Sequence, residues 1–482
     1  MGPERLNLRR GALWVARPDS HPQLARGCPT PRPCPMIPLF RCFLPLLLTC
    51  TAAAAPVPVG VARVDITPAL PIRLSGYTNR PAEADRVVAP LSARALALGG
   101  DDGEGPVVLV VAEVLAVSEE FTAGVLADLQ QHRALPRARF ALAVTHQHNG
   151  PVIAGTAPFM FSRDLPPEEL ARIDVYAAFL RTKLVEVARA ALAARQPAEL
   201  GWARGRVGFA VNRRKVIEGR QVGYTDQPGG VVDHDLPVLR AAGPGGGVRA
   251  LLLNYACHCT TLKGGDNYVH PDWAGDAAGR LEAAHPGAVA LVAIGCGADA
   301  DPQPRGLAEV ARHGRTIADE VRRLLAGPLR PLGAVTAARF QRLELPLARA
   351  VTRAELEARL TQPPMTAYPA RKFLAELDAG RALPVAVGYP VQAWRFGGEL
   401  AMVFLGGEVV ADYALRLKRE LGPDRVWVNA YANAVPCYIP SRRILAEGGY
   451  EAERAMDFYG LPTRLAEDVE ERVIGAVHAL VR

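Results

Sequence analysis

From Gly60 onward the chain alternates short apolar runs with stretches of helical period. Gly60–Pro68 (GVARVDITP) reads as a strand closed by a proline-fixed turn, and Leu91–Gly99 and Val107–Val117 read as a strand pair around the polar turn Asp101–Gly105. Ser118–Gln131 has helical spacing, Phe140–Thr145 is a short apolar strand, and Pro166–Ala194 repeats apolar residues every three and four positions along a long helix. Val248–Ala256 and Ala288–Ile294 have the unbroken apolar character of buried strands, with a helix over Asp276–Ala284 between them. Leu307–Leu325 is an amphipathic helix, and Ala350–Pro384 is a charged helical excursion broken at Pro363-Pro364. Val391–Phe404 holds two strands, Tyr413–Leu421 a helix and Arg425–Ala430 a strand. Strands alternating with helices throughout predict an α/β fold of mixed β-sheet layered with α-helices. With no Pro/Gly/Ser-rich linker after residue 56, one large domain over 56–482 is expected. Val107–Pro151 and Leu400–Pro436 both run apolar strand, acidic residue, helix, strand, polar tip, a weak sign of duplication.

The first 55 residues follow a different rule. Met36-Ile-Pro-Leu-Phe-Arg41, the apolar run Cys42–Cys50 and Thr51-Ala-Ala-Ala-Ala55 have the n-region, h-region and A-x-A site of a signal peptide. A signal peptide over 36–55, cleaved near Ala54, is therefore expected, with 1–35 as a non-native upstream extension and an exported product, periplasmic or extracellular. A lipid anchor at Cys50 is disfavoured by Thr49 before it. The apolar run is too short for a membrane span, which needs about 20 residues. Seven arginines (Arg5, Arg9, Arg10, Arg17, Arg26, Arg32, Arg41) stand there against Glu4 and Asp19, so +5 of the net charge of +7 sits in the leader. Little remains for the basic face that nucleic-acid binding requires. Hydrophobic and charged fractions of 49% and 22% exclude disorder, collagen and coiled coil. Past the leader only Cys257, Cys259, Cys296 and Cys437 remain, too few for a disulfide framework.

Five polar segments interrupt the apolar strands at their ends, where α/β sheets build sites. Thr145-His-Gln-His-Asn-Gly-Pro151 delivers His146 and His148 at i and i+2, on one side of an extended chain. Asn254-Tyr-Ala-Cys-His-Cys-Thr-Thr261 ends a second strand in His258, with Cys257 and Cys259 on the opposite strand face, so that the three cannot share a metal. His270 in the following turn reads as loop polarity, and Asp272 as a helix cap. Ala293–Pro302 is a glycine-rich turn carrying Asp299 and Asp301, and Gly406-Gly-Glu408 places a carboxylate at the start of a helix. Tyr438 and Tyr450 stand in a polar tail. Two imidazoles, a carboxylate and oxygen donors at strand ends suit Zn²⁺.

In this order the motifs resemble the catalytic domain of the neutral/alkaline (non-lysosomal) ceramidases, from about Val59 to Glu451. The segments that carry the resemblance are GVARVDITP at 60–68, LSGYTN at 74–79, THQHNGP at 145–151, VNRR at 211–214, VDHDLPVLR at 232–240, YACHCTT at 255–261, GGE at 406–408, and Tyr438 and Tyr450. The resemblance implies a zinc-dependent hydrolase that cleaves the N-acyl amide of a ceramide-like lipid by zinc-activated water. It implies His146, His258, Glu408 and Tyr438 as zinc ligands, with His148, Arg213 and Tyr450 around the scissile amide. At 298–303 the chain reads Ala-Asp-Ala-Asp301-Pro-Gln where the family carries a serine-bearing segment, so Asp301 stands in the place of the serine assigned as catalytic. The stretch after Tyr450 is too short for the family's immunoglobulin-like C-terminal domain. These departures mark a divergent branch.

In that setting His148 is expected to shuttle a proton to the leaving amine, and Tyr450 and Arg213 to stabilise the oxyanion. Asp301 is expected to orient or deprotonate the water. Cys296, two residues before Ala298, reads as a buried structural thiol rather than a nucleophile. The expected partner is a small lipid or N-acyl substrate, with peripheral contact to a membrane allowed and nucleic acid excluded. Two other readings share the motifs: hydrolysis of other amides or esters at the same zinc site, and a non-catalytic, zinc-stabilised exported binding protein. The Gly243–Gly247 run is a turn and no phosphate-binding loop.

Overall fold

The structure, a computed structural model, describes residues 55–482; the expected extension at 1–35 and signal peptide at 36–55 lie outside the described residues, Ala55 apart. A nine-stranded mixed sheet has the spatial order Val289–Ile294, Val248–Tyr255, Asp235–Ala242, Gln196–Arg206, Val57–Asp65, Ser92–Leu98, Val107–Ala112, Phe140–Val144, and Arg330–Leu332 also pairs with Gln196–Arg206. A four-stranded sheet runs Ala337–Pro346, Ala386–Phe396, Leu400–Leu405, Val426–Asn429.

The two sheets pack face to face. Leu96, Leu98, Leu109, Val111 and Trp202 of the larger meet Trp394, Phe396, Met402, Phe404 and Trp427 of the smaller in one buried cluster. The alternate residues of the same strands, such as Val108, Val110 and Ala112, join a second cluster with the helices. Helices Glu119–Gln130, Pro167–Ala193, Asp272–Ala284 and Leu307–Leu325 cover the outer face of the large sheet, and Ala411–Leu421 and Val469–Val481 that of the small one. Every residue of Val107–Ala112 is buried because both of its faces are covered. This is why the strand reads as an unbroken apolar run.

The expected duplication has a topological counterpart. Ser92–Leu98 pairs antiparallel with Val107–Ala112, which pairs parallel with Phe140–Val144 across a helix. Ala386–Phe396, Leu400–Leu405 and Val426–Asn429 repeat that arrangement. The two halves join at their tips: Ala143 bridges Ala432, Val144 N–H donates to Tyr431 O at 3.1 Å, and Asn433 N–H to Leu142 O at 2.6 Å.

Sequence periodicity missed the strands Gln196–Arg206, Ala210–Ile217, Arg220–Gln227, Asp235–Ala242 and Ala337–Pro346. Most mix charged with apolar positions, and Ala337–Pro346 is an edge strand with most residues partly or fully exposed, so neither burial nor alternation marks it. The excursion at 350–384 holds helices Arg353–Arg359 and Pro364–Asp378, which share a small cluster of Leu356, Ala370, Phe373 and Leu374.

Candidate active site

His146 follows Phe140–Val144 in a left-handed conformation, φ 51°, rather than in the extended chain expected for the H-x-H pair. Tyr431 occupies the matching place after Val426–Asn429, φ 52°, and the two rings stack with centroids 4.4 Å apart. The left-handed turn redirects the chain so that Gln147 bridges Cys259, and this pairing brings the histidine segment alongside His258. Two anchors set the His258 backbone: its N–H donates to Ala300 O at 3.0 Å, and its carbonyl accepts from Trp273 Nε1 at 2.9 Å.

Each deep histidine has one ring nitrogen committed to a backbone carbonyl. His146 Nδ1 is 2.9 Å from Leu115 O, and His258 Nδ1 is 2.9 Å from Gly297 O. Gly297 permits that approach, since a Cβ there would lie 2.5 Å from the Ala256 carbonyl carbon. The free Nε2 atoms of both converge on Glu408 Oε2, at 3.1 and 3.2 Å. His148 Nε2 lies 3.4 Å from His146 Nε2, and its Nδ1 is buried without a partner. Nitrogens of His146, His148 and His258 all lie within 4.8 Å of one another. Carbonyl-anchored imidazoles with free nitrogens facing a carboxylate are the donor set of a divalent-cation site, so the residues fit Zn²⁺.

Glu408 sits on the two-residue strand Glu408–Val409, paired in parallel with Tyr438–Ile439, and the helix begins only at Ala411. Its other oxygen, Oε1, accepts a short hydrogen bond from the Tyr459 hydroxyl. Although burial opposes its charge, His146 and His258 hold the Glu408 carboxyl well below the usual carboxylate range. Burial, with the neighbouring His146 and His258, pushes His148 well below the usual imidazole range, so that ring is neutral.

Beside this centre Arg213 is the hub. It donates to Glu451 Oε1 at 3.1 Å, to Asp301 Oδ1 at 3.2 Å and to the Tyr438 hydroxyl at 3.1 Å. Its guanidinium also faces the rings of Tyr224 and Tyr450, 5.5 and 5.9 Å from their centroids. Burial opposes the Arg213 charge, yet Tyr438, Asp301 and Glu451 keep it protonated. Asp301 lies on the short strand Ala300–Pro302, where it also accepts from Thr260 Oγ1 at 3.2 Å. Burial alone would raise its pKa, but Arg213, with His258 and Arg305, holds it below the usual range. The Tyr450 ring packs edge-on to Tyr438 and Tyr224, both at 5.4 Å. Burial raises the phenols of Tyr438, Tyr450 and Tyr459, so all three carry protons.

All eight residues singled out from the sequence thus gather in one region, in two parts. His146, His148, His258 and Glu408 form the metal-type cluster, and Arg213, Asp301, Tyr438 and Tyr450 form the adjoining rim, with the Tyr438 hydroxyl on Arg213. Tyr459 and Glu451 were missed. Tyr459 lies in a featureless stretch with no sequence signal. Glu451, fully buried, accepts from both Arg213 and Arg214, which stand more than two hundred residues away in the chain, so no local pattern marks it. The LSGYTN segment wraps the open side of His148, with the Tyr77 ring 4.9 Å from it. His270 is less idle than expected, its Nδ1 accepting from Asp272 N–H at 3.0 Å. Asp272 is itself the first helical residue, and its carboxylate takes the N–H groups of Trp273 and Leu262. Cys257, Cys259, Cys296 and Cys437 are free and buried, and burial raises their thiols far from reactivity.

A four-layer helix–sheet–sheet–helix fold with a histidine–carboxylate centre at the sheet tips defines the class. Residues 58–295 match the family model described as neutral/alkaline non-lysosomal ceramidase, N-terminal. The similarity to the neutral/alkaline non-lysosomal ceramidase family is carried by those residues. The crystal structure of neutral ceramidase from Pseudomonas aeruginosa is similar over 88% of this chain and 73% of its own, at 17% identity and a TM-score of 0.64. A structure described as ceramidase complexed with C2 is similar over 89% of this chain and 76% of its own, at 16% identity and a TM-score of 0.64. No curated protein sequence matches the chain significantly.

Proposed function

We propose that the protein is a zinc-dependent amidohydrolase that cleaves the N-acyl bond of a ceramide-like lipid. The observation that carries this reading is the convergence of His146 Nε2 and His258 Nε2 on Glu408 Oε2, with both Nδ1 atoms tied to carbonyls. His146, His258 and Glu408, with Tyr438 beside them, would hold the ion. Zn²⁺, when bound, supplies Lewis-acid chemistry, polarising a carbonyl and acidifying water.

The remaining steps belong to the chain. His148 is neutral and the most open of the three imidazoles, so Nε2 can take a proton from water and return it to the leaving amine. Arg213 presents fixed positive charge, and protonated Tyr450 a phenol, to the oxygen on which negative charge develops. Asp301, ionised and bonded to Arg213, is a weak base for removing a proton from water and is better suited to fixing the guanidinium.

The experiment pairs metal analysis with hydrolysis of a fluorogenic N-acyl sphingosine by the protein from Ala55 onward. About one zinc per chain with turnover is the expected outcome, and Asp301→Ala should abolish turnover while zinc stays bound. Zinc without turnover would replace the ceramide-like substrate by another amide or ester, the reading that Asp301 in place of the family's serine favours. Absence of zinc would overturn the metal assignment.

A further inference from the structure

The hairpin Ala210–Ile217/Arg220–Gln227 has two ends of opposite character. Its base is part of the site: Arg213 bonds Asp301, Tyr438 and Glu451, and Tyr224 packs on Tyr450. Gln221 Oε1 accepts the Tyr450 N–H at 2.8 Å and fixes the hairpin against the loop that carries Tyr450 and Glu451. The far end points into solvent with its apolar side chains uncovered. Val222 is 56% exposed and Ile217 51%, and Tyr224, one face of which packs on Tyr450 and Arg213, is still 46% exposed. Lys215 and Arg220 are exposed beside them; Glu218 stands with them at the turn, while the hairpin's other exposed acid, Asp226, lies at the opposite end and accepts from Gln303 Nε2 at 2.6 Å.

Exposed branched and aromatic side chains interleaved with cations suit an interface with apolar interior and anionic surface. A protein partner would also accept the apolar residues. The cations at the rim, and the continuity of the patch with a site read as lipid-hydrolysing, favour a bilayer. We propose that this hairpin tip is the protein's docking element for an anionic membrane surface: Ile217 and Val222 enter the headgroup–acyl boundary, Lys215 and Arg220 meet lipid phosphates, and Tyr224 stands between the bilayer and Arg213. The substrate then passes from the leaflet along the hairpin to the rim of the site. The assignment rests on the lipid-hydrolase reading for its meaning but not for its test.

The test is sedimentation of the zinc-loaded protein with sucrose-filled vesicles of phosphatidylcholine, with and without one-fifth phosphatidylglycerol. Turnover of a soluble short-chain N-acyl substrate and of a long-chain one embedded in the vesicles is measured in parallel. Wild type should pellet with the anionic vesicles and be released by salt. The double variant Ile217→Asn/Val222→Asn should bind at least tenfold more weakly and lose turnover of the embedded substrate alone, and Lys215→Glu/Arg220→Glu should lose the preference for anionic vesicles. Undiminished soluble turnover and zinc content in both variants show that they fold. Wild type that hydrolyses the soluble substrate yet stays in the supernatant overturns the docking surface and leaves the hydrolase reading standing. Wild type that pellets through these residues and hydrolyses neither substrate upholds the surface and overturns that reading. A concentration-dependent dimer abolished by Ile217→Asn/Val222→Asn, with no vesicle binding, would assign the tip to a second copy of the chain and overturn the membrane proposal.

Discussion

Tyr459 spends its hydroxyl proton on Glu408 Oε1, which leaves Oε2 as the oxygen facing His146 and His258. Hydrogen bonds to a metal-binding carboxylate orient it, and their loss costs roughly 10–100-fold in metal affinity. Tyr459→Phe should therefore weaken zinc binding by about that factor in a chelator competition while leaving the thermal unfolding of the metal-free protein almost unchanged. A second buried acid makes a prediction about pH. Burial, with Asp412 nearby, pushes Asp299 up to about 6, while its carboxylate accepts from Ala411 N–H at 2.9 Å and Asn212 Nδ2 at 3.1 Å. The native state thus holds this proton more tightly than the unfolded chain does, so stability falls as pH rises through the interval from about 4 to about 6. Asp299→Asn does not titrate there. Between about pH 4 and pH 7, wild type should lose on the order of 3 kcal/mol more than the variant, read from urea midpoints at both pH values.

At the scale of elements, the site depends on loops that approach one another more closely than side chains allow. Gly76 of LSGYTN has φ 86°, and a Cβ there would lie 2.5 Å from the imidazole of His148. Gly76→Ala would combine an unfavourable backbone conformation, costing about 1 kcal/mol, with displacement of that ring. If His148 moves protons and is no ligand, kcat should fall by about two orders of magnitude with zinc content intact. Loss of zinc together with activity would make His148 a ligand instead. The paired left-handed turns at His146 and Tyr431 belong to this scale too. They stand at equivalent places in two similarly connected halves, and stacking of the two rings joins those halves at the site.

Across the described residues the two sheets form the platform that fixes these loops, and Trp394 belongs to the cluster buried between them, 1% exposed and edge-on to Phe404 at 4.6 Å. Trp394→Ala should cost about 3–5 kcal/mol, seen as a lower urea midpoint with unchanged slope, and the protein that remains folded should keep its zinc. The sequence by itself determined the alternation of strands and helices, because strands covered on both faces need continuous apolar runs and helices need a 3.6-residue stripe. It also marked His146, His148, His258 and Glu408, which stand out as polar groups where apolar strands end, whereas Arg213 and Tyr450 were singled out only through the family resemblance. Legibility failed where a segment's neighbours, and not its own pattern, stabilise it. The edge strand Ala337–Pro346 and the half-exposed hairpin Ala210–Gln227 had no periodic signature. Only the tertiary structure decided that Tyr459 orients Glu408, that Glu451 neutralises two arginines and that Tyr438 bonds Arg213. Each of these joins residues far apart in the chain, and such pairing follows from how sheets and loops meet in space, which no local run of residues encodes.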